Sequence, residues 1–414
     1  MRDPLPPSAA LPLTEGENKA LTLQPLISPL VRGETRAKRA RGSLAHHLEL
    51  GLGNTIRRSA AENRTLKKEA MLKKVFIISA ICLLWLASLS SKAADSLPSQ
   101  YTDTEFWRMV TDFSEPGGAF PYENFVSNEV SYQDVLPELT RIAKPGGAYL
   151  GVAPEQNFTY IAAIQPKIAF ILDIRRQNML ELLMYKALFE MSADRVEFVS
   201  RLFSRPKPTG LTATASAEDI FKAFESIIGR PDLFKQTLQA IKDRLIKQHQ
   251  FKLSPDDEQK IEYVFNVFLR GGPRMDYAYA SSSPNNQVPS YYNLMVTTDG
   301  RGKNWAYLET EERYRYVRAM QLKNLIVPLV ADFGGPKTIK TIAQYLKDHG
   351  STVSVFYISN VEDYLSSSWT QYTANLAALP TDDSTLLIRF IPVSSTVLGR
   401  IKDVPQRWLG QYWH

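Results

Sequence analysis

Eight positions of this sequence could converge on one ligand: Gly151, Glu155, Gln156, Asn157, Asp173, Arg175, Asp332 and Asn360. Each stands at or just beyond the end of a short apolar run. The first run, Ala148-Tyr149-Leu150-Gly151-Val152, leads into Ala153-Pro154-Glu155-Gln156-Asn157. The second, Ile168-Ala169-Phe170-Ile171-Leu172, ends at Asp173, with Arg175 two residues on. A later run ends at Asp332 before Gly334-Gly335, and another at Ser359-Asn360. If these runs are parallel strands, the loops lie beyond their carboxyl ends, where open α/β sheets bind ligands.

The chemistry such loops offer is recognition by hydrogen bonds. Gly151 lets the backbone turn after the first run, and the helix-start amides beyond it suit an anionic or carboxylate group. Asp173 comes 22 residues after Gly151, where nucleoside-binding folds place an acid to accept ribose hydroxyls. The loop is Gly-Val-Ala-Pro-Glu-Gln, so it lacks two of the three glycines of G-x-G-x-x-G. Glu155, Gln156 and Asn157 would crowd a pyrophosphate, and Glu155 would repel it. A ligand with hydrogen-bonding groups and little phosphate is expected. Plainer roles compete: Asp173 as a helix cap, Asp332 as a turn acid, Arg175 and Arg176 in solvent or paired with Glu181, Tyr357 and Tyr364 as packing.

Other chemistry has no residues to carry it. Cys82 is the only cysteine, so from residue 94 onward there is no disulfide, thiol nucleophile or cysteine-ligated metal. Beyond residue 94 the histidines are His249, His349 and His414, with no two at metal-ligand spacing, and no metal is expected. No Ser-His-acid order and no convincing carboxylate pair is present.

The elements that must position the loops alternate between apolar runs and helical periods. Helices are expected over 135–143, 158–165, 179–191 (amphipathic, opening at 175–178), 194–203, 309–318 and 337–347. Strands are expected at 148–152, 168–173, 292–298, 324–333, 352–358 and, last, 386–391. This is an α/β fold: a doubly wound, mostly parallel sheet with both faces covered. A helical insertion occupies about 211–270, with helices over 217–228, 231–248 and 255–269; proline opens the second and third at Pro231 and Pro255. Residues 281–289 are expected to form a polar loop. Residues 114–125, rich in Pro and Gly, lead into Asn128 and Glu129; with Tyr122, Glu123 and Asn124 they form either a lid or clamp over a ligand, or a loop packing its aromatics on the core.

Charge is uneven. The chain carries +6 overall, with +5 in residues 1–70 and +3 in 71–93, leaving −2 for 94–414. The folded part therefore gives no argument for a nucleic-acid partner. Residues 1–70 are expected to be disordered and an over-extended start. Met71, followed by Lys73-Lys74, an apolar core over 75–89 and small residues over 90–94, has the form of a signal peptide. Export, to a periplasm, is the expectation; the alternative is an uncleaved anchor through 75–89, the only membrane contact foreseen. The domain then runs over 101–414.

The arrangement resembles the sheet of S-adenosylmethionine-dependent methyltransferases. The resemblance implies a first strand ending in a glycine loop (Gly151), a second ending in an acid on the ribose (Asp173) and a fourth ending in an acidic-polar loop near the transferred methyl (Asp332). More closely, residues 151–158, 173–178 and 356–362 are similar to an uncharacterised bacterial family with this methyltransferase-like, Rossmann-type fold, over most of 105–400. That similarity implies the fold and no established activity, with S-adenosylmethionine as the cofactor the fold suggests. S-adenosylmethionine is cytoplasmic, so an exported chain would call for another ligand. Two functions follow: a cleft for a small polar or nucleoside-like ligand, with S-adenosylmethionine-dependent transfer as its reaction, or a non-catalytic exported binding or interaction protein on the same scaffold.

Overall fold

A computed structural model describes residues 67–68, 71–79, 97–277, 288–391 and 395–403. Expectations for residues 1–66, for 80–96 and for most of the 281–289 loop lie outside the described residues. The chain divides into two units, Met1–Ser90 and Ser91–His414, each taken by itself. In the first, residues 71–79 are helical and exposed, with Phe76 among the most exposed apolar side chains. Among the described residues no helix is long and apolar enough to cross a membrane.

The second unit is organised by six strands: β1 (Ala148–Val152), β2 (Ile168–Asp173), β3 (Ile326–Val330), β4 (Val353–Ser359), β5 (Leu386–Ile391) and β6 (Ser395–Arg400). Every residue of β1, β2 and β3 is buried, as strands covered on both faces must be. Their order is β3-β2-β1-β4-β5-β6. The first five pair in parallel. β6 pairs antiparallel with β5 and closes one edge. β3 closes the other edge, which accounts for Pro328 in its middle: a residue without an N–H is tolerated where no further strand needs a donor. The order reverses between β1 and β4, so a crevice opens beyond their carboxyl ends.

The helices are α1 (Asp103–Phe113), α2 (Leu136–Ile142), α3 (Gln156–Ile164), α4 (Arg176–Met191), α5 (Arg195–Leu202), α6 (Ala217–Glu225), α7 (Pro231–Lys242), α8 (Pro255–Gly271), α9 (Tyr291–Val296), α10 (Glu311–Leu322), α11 (Thr338–Asp348) and α12 (Trp369–Ala378). α3 joins β1 to β2. α4 packs on β2 and β3, and α10 packs on α3 and α4; α1 packs on β3 and α11. Capping boxes set four of the starts, at Thr102, Ser216, Ser254 and Ser290.

Four expectations are corrected. Residues 291–296 are helical and 297–298 are irregular, so no strand forms over 292–298: Ser290 and Asn293 form a reciprocal cap that starts α9, and this outweighs the aromatic and β-branched bias of Tyr-Tyr-Asn-Leu-Met-Val. With that strand gone, Asp332 follows the third strand, two residues beyond Val330, and the fourth ends at Ser359. The strand at 386–391 is followed by one more, β6. Finally, α4 is buried nearly all round rather than amphipathic. The insertion covers it: Arg176 at its first turn clasps Asp257 of α8 with Nε and Nη2 at 2.6 and 2.9 Å.

A balanced charge network ties α1, α4 and the insertion together. Lys186 Nζ lies 2.8 Å from Glu190 and donates to the Gln321 carbonyl at 2.6 Å, with both charged side chains almost fully buried. His249 bridges, with Nε2 2.7 Å from Glu190 and Nδ1 2.9 Å from Asp103. The Phe106 ring centroid is 5.0 Å from the Lys186 ammonium. Removing the lysine alone would strand Glu190 with fewer counter-charges. Lys186→Met is therefore expected to cost about 3 kcal/mol, read as a lower urea midpoint with an unchanged slope; a variant as stable as the parent would show that the network is not a structural tie.

Candidate functional site

The turn after β1 is built by one side chain. Asn157 Nδ2 donates to the carbonyls of Val152, Ala153 and Pro154 at 2.9, 3.0 and 2.7 Å, and Oδ1 accepts from the Tyr149 hydroxyl at 2.7 Å. Gly151 is required by this closure, because a Cβ there would lie 1.9 Å from Asn157 Oδ1. Ala153 turns with φ 64°, an unusual conformation for a residue with a side chain. Neither Gly151 nor Asn157 lines the cavity described next, and the Asn157 amide is fully engaged with the chain itself.

Beyond the carboxyl ends of β1, β2, β3 and β4 lies a cavity of about 430 Å³, inside the size range of small-molecule sites. Gln156, Asp173, Asp332 and Asn360 line it together. Glu155 and Arg175 do not. Glu155 is wholly buried, with Oε1 3.5 Å from the Ser127 N–H and Oε2 unpartnered. Arg175 turns back to Glu123, donating to its carbonyl and placing Nη1 3.5 Å from its carboxylate, with Nε 4.0 Å from Asp173. Neither Arg175 nor Arg176 pairs with Glu181, whose two carboxyl oxygens are buried without a hydrogen-bond partner.

The plainer roles are partly taken up as well. Asp173 Oδ1 accepts from the Arg175 N–H at 2.8 Å, fixing the turn into α4 rather than capping the helix. Asp332 Oδ1 accepts from the Gly334 N–H at 2.8 Å, as a turn acid does. Asn360 Nδ2 donates to Asp363 at 3.1 Å. Each of the three still faces the cavity.

The segment before β1 supplies one wall: Ala119, Phe120, Pro121, Asn124 and Val126 to Glu129 all line the cavity. Glu115, at its start, accepts from the N–H groups of Lys337 and Thr338 at 2.7 and 3.2 Å, and so ties the segment to the start of α11. Glu129 is the residue that sequence reasoning placed only as part of a lid. It is buried to 1% exposure. Its carboxylate accepts from the Tyr357 hydroxyl at 2.7 Å, from the Ser359 hydroxyl, and from Gln156 Nε2 at 3.4 Å. The nearest signal was the polar residues of 122–129 set among aromatics; nothing in the spacing singled out Glu129.

The electrostatics of this end of the sheet are dominated by desolvation. Burial pushes the Glu129 carboxyl up to about 7, against the hydrogen bonds from Ser359, Tyr357 and Gln156. Burial pushes Glu155 up to about 8 and Asp173 up to about 6, the latter against the neighbouring Arg175. Glu181 is held well above the usual carboxylate range by burial and by Glu155. Proton-sharing and hydrogen-bond acceptance near neutral pH are the chemistry such a wall can perform. No group of three or more His, Cys, Asp or Glu side chains among the described residues is placed to hold a metal ion.

Sheet order and cavity together define a doubly wound α/β protein with a cavity at its strand-end switch point. A family model described as a domain of unknown function, DUF7790, matches residues 124–213 and 212–414, and the chain belongs to that family. A comparison with curated proteins found no match.

The raised acids make a stability prediction. Glu129, Glu155, Asp173 and Glu181 hold protons more tightly folded than unfolded, where carboxyls titrate near pH 4. The stability they contribute is complete below that pH and is lost as pH rises towards about 8. Tm is expected to fall between pH 5 and 8. Glu155→Gln should leave Tm unchanged at pH 5 and raise it at pH 8, by on the order of 2 kcal/mol. Equal effects at the two pH values would contradict a protonated Glu155.

Proposed function

We propose that the strand-end cavity binds a small polar, nucleoside-like ligand, with S-adenosylmethionine as the first candidate and methyl transfer as the first reaction class to assay. The observation that carries this is the convergence of Gln156, Asp173, Asp332 and Asn360 on one cavity at the point where the strand order reverses. On this reading Asp173, at the end of β2, would accept hydrogen bonds from ribose hydroxyls. Phe120, Tyr277, Phe333 and Tyr364 are the aromatic residues of its lining on which a ring could pack. The turn after β1 agrees with a ligand that lacks a pyrophosphate. Asn157 fills the close approach that the second and third glycines of a phosphate loop keep open, whereas a thioether or sulfonium nucleoside needs no such approach.

The Asp332 position is a weaker part of the methyltransferase likeness, because that residue follows the third strand and not the fourth. Its place is taken by Ser359-Asn360 at the end of β4, beside the switch point. The same engaged turn supports a second reading, a non-catalytic binding protein on this scaffold, exported by residues 71–94.

Ligand-dependent melting separates the two. Millimolar S-adenosylmethionine or S-adenosylhomocysteine at about 100 times Kd would add roughly 2.7 kcal/mol, a Tm rise of several degrees. Asp173→Ala should abolish the rise. No shift with either compound would sink the transferase reading.

A further inference from the structure

We propose that the cavity selects ligands bearing an organic cation, with Glu129 as the counter-ion. This rests on the cavity being a small-molecule site and names the charge class of what it holds. Among the described residues that line it are three acids, Glu129, Asp173 and Asp332, and no lysine, arginine or histidine. One of the acids has a cation beside it: Asp173 has Arg175 Nε at 4.0 Å. Asp332 is only part-buried and accepts from a backbone N–H. The hydrogen bonds to Glu129 all come from neutral donors: the Tyr357 and Ser359 hydroxyls and the Gln156 amide. Such donors solvate a carboxylate without neutralising it, and a buried carboxylate without a cation is costly.

An independent observation points the same way. Gln156 is 1% exposed and lines the cavity, and its Oε1 has no hydrogen-bond partner. The Asn124 side-chain oxygen, on the opposite wall segment, is also unpartnered. These are acceptors, as are the acids, so two buried acceptors of the wall await a donor that the chain does not supply. An ammonium group carries three donors and no acceptor, and supplies the missing charge. The aromatic components fit as well. Phe120 and Tyr364 meet edge to face with centroids 5.1 Å apart, and both line the cavity; ring faces of this kind attract organic cations. A phosphorylated ligand would meet three acids and no base.

Calorimetry on the full chain with two charge-graded series tests this. The first series is 5′-amino-5′-deoxyadenosine, adenosine and adenosine 5′-monophosphate. The second, without a nucleoside, is tyramine, 4-hydroxyphenylethanol and 4-hydroxyphenylacetate. In at least one series the cation should bind about tenfold or more tighter than its neutral isostere, and the anion weakest. Glu129→Gln should shrink that ratio to about threefold or less, with the circular dichroism unchanged. Preference for the amine in the tyramine series alone would uphold the cation inference and sink the nucleoside reading. Nucleosides bound without regard to charge would do the reverse. Flat or anion-favouring binding in both series, absence of binding in both, or a cation preference that survives in Glu129→Gln would overturn the proposal.

Discussion

The Asn157 side chain is the interaction on which this end of the molecule depends. In a phosphate-binding turn, glycines keep the backbone open so that a ligand can approach. Here three carbonyls of the turn close instead on one amide, and Tyr149 holds that amide from the strand below. The closure dictates glycine at 151 and a left-handed Ala153. It also fixes where α3 begins. Gln156, at the first position of that helix, faces the cavity, and Glu155 just before it is turned into the protein. The N–H groups of Asn157 and Phe158 at the helix start are bonded to the carbonyls of Pro154 and Glu155, which weakens the anion site that a helix start would otherwise offer and leaves recognition to side chains arriving from β2, β3, β4 and the segment before β1.

Two buried polar regions of the fold are built on opposite terms. Around Lys186 and Glu190, acids and bases are interleaved: two carboxylates, an ammonium, an imidazole and a guanidinium lie within a few ångströms. Such a network is costly to break and fastens α1 to the insertion. Around the cavity, Glu129, Glu155 and Glu181 have no base hydrogen-bonded to them, and desolvation raises the pH at which they ionise. Structural need accounts for the first arrangement. It does not account for the second, since a glutamine at 129 would satisfy the same hydroxyls without the charge.

Much of the frame could be read from the chain, because the signals were strong where burial is complete. β1, β2, β3 and β4 are runs apolar on both faces, and Pro231 and Pro255 do open helices. β6 was missed because Ser-Thr-Val-Leu-Gly-Arg is half exposed on an edge and has no apolar run to announce it. α9 was misread because side-chain bias was weighed above its Ser-x-x-Asn start. Pro328 carried an edge-strand signal that would have placed β3 at the rim. At the site, four of the eight expected residues face the cavity, since the ends of adjacent parallel strands meet by construction. Arg175 and Glu155 could not be placed in advance, because which way a loop side chain turns depends on distant partners, Glu123 and Ser127. Glu129 was illegible for the same reason: its partners, Tyr357 and Ser359, lie 228 and 230 residues away.

Departures from local rules gather on this cavity. Of the seven non-glycine residues with positive φ among those described, Asn124, Ala153 and Ser359 line it. So do the unpartnered amide oxygens of Gln156 and Asn124 and the uncompensated Glu129. Each costs on the order of 1–3 kcal/mol, and the fold could shed each by a single substitution to glycine, leucine or glutamine. Their coincidence at the switch point, where geometry already opens a crevice, is the physical reason to look for this protein's ligand there and to look first among cations.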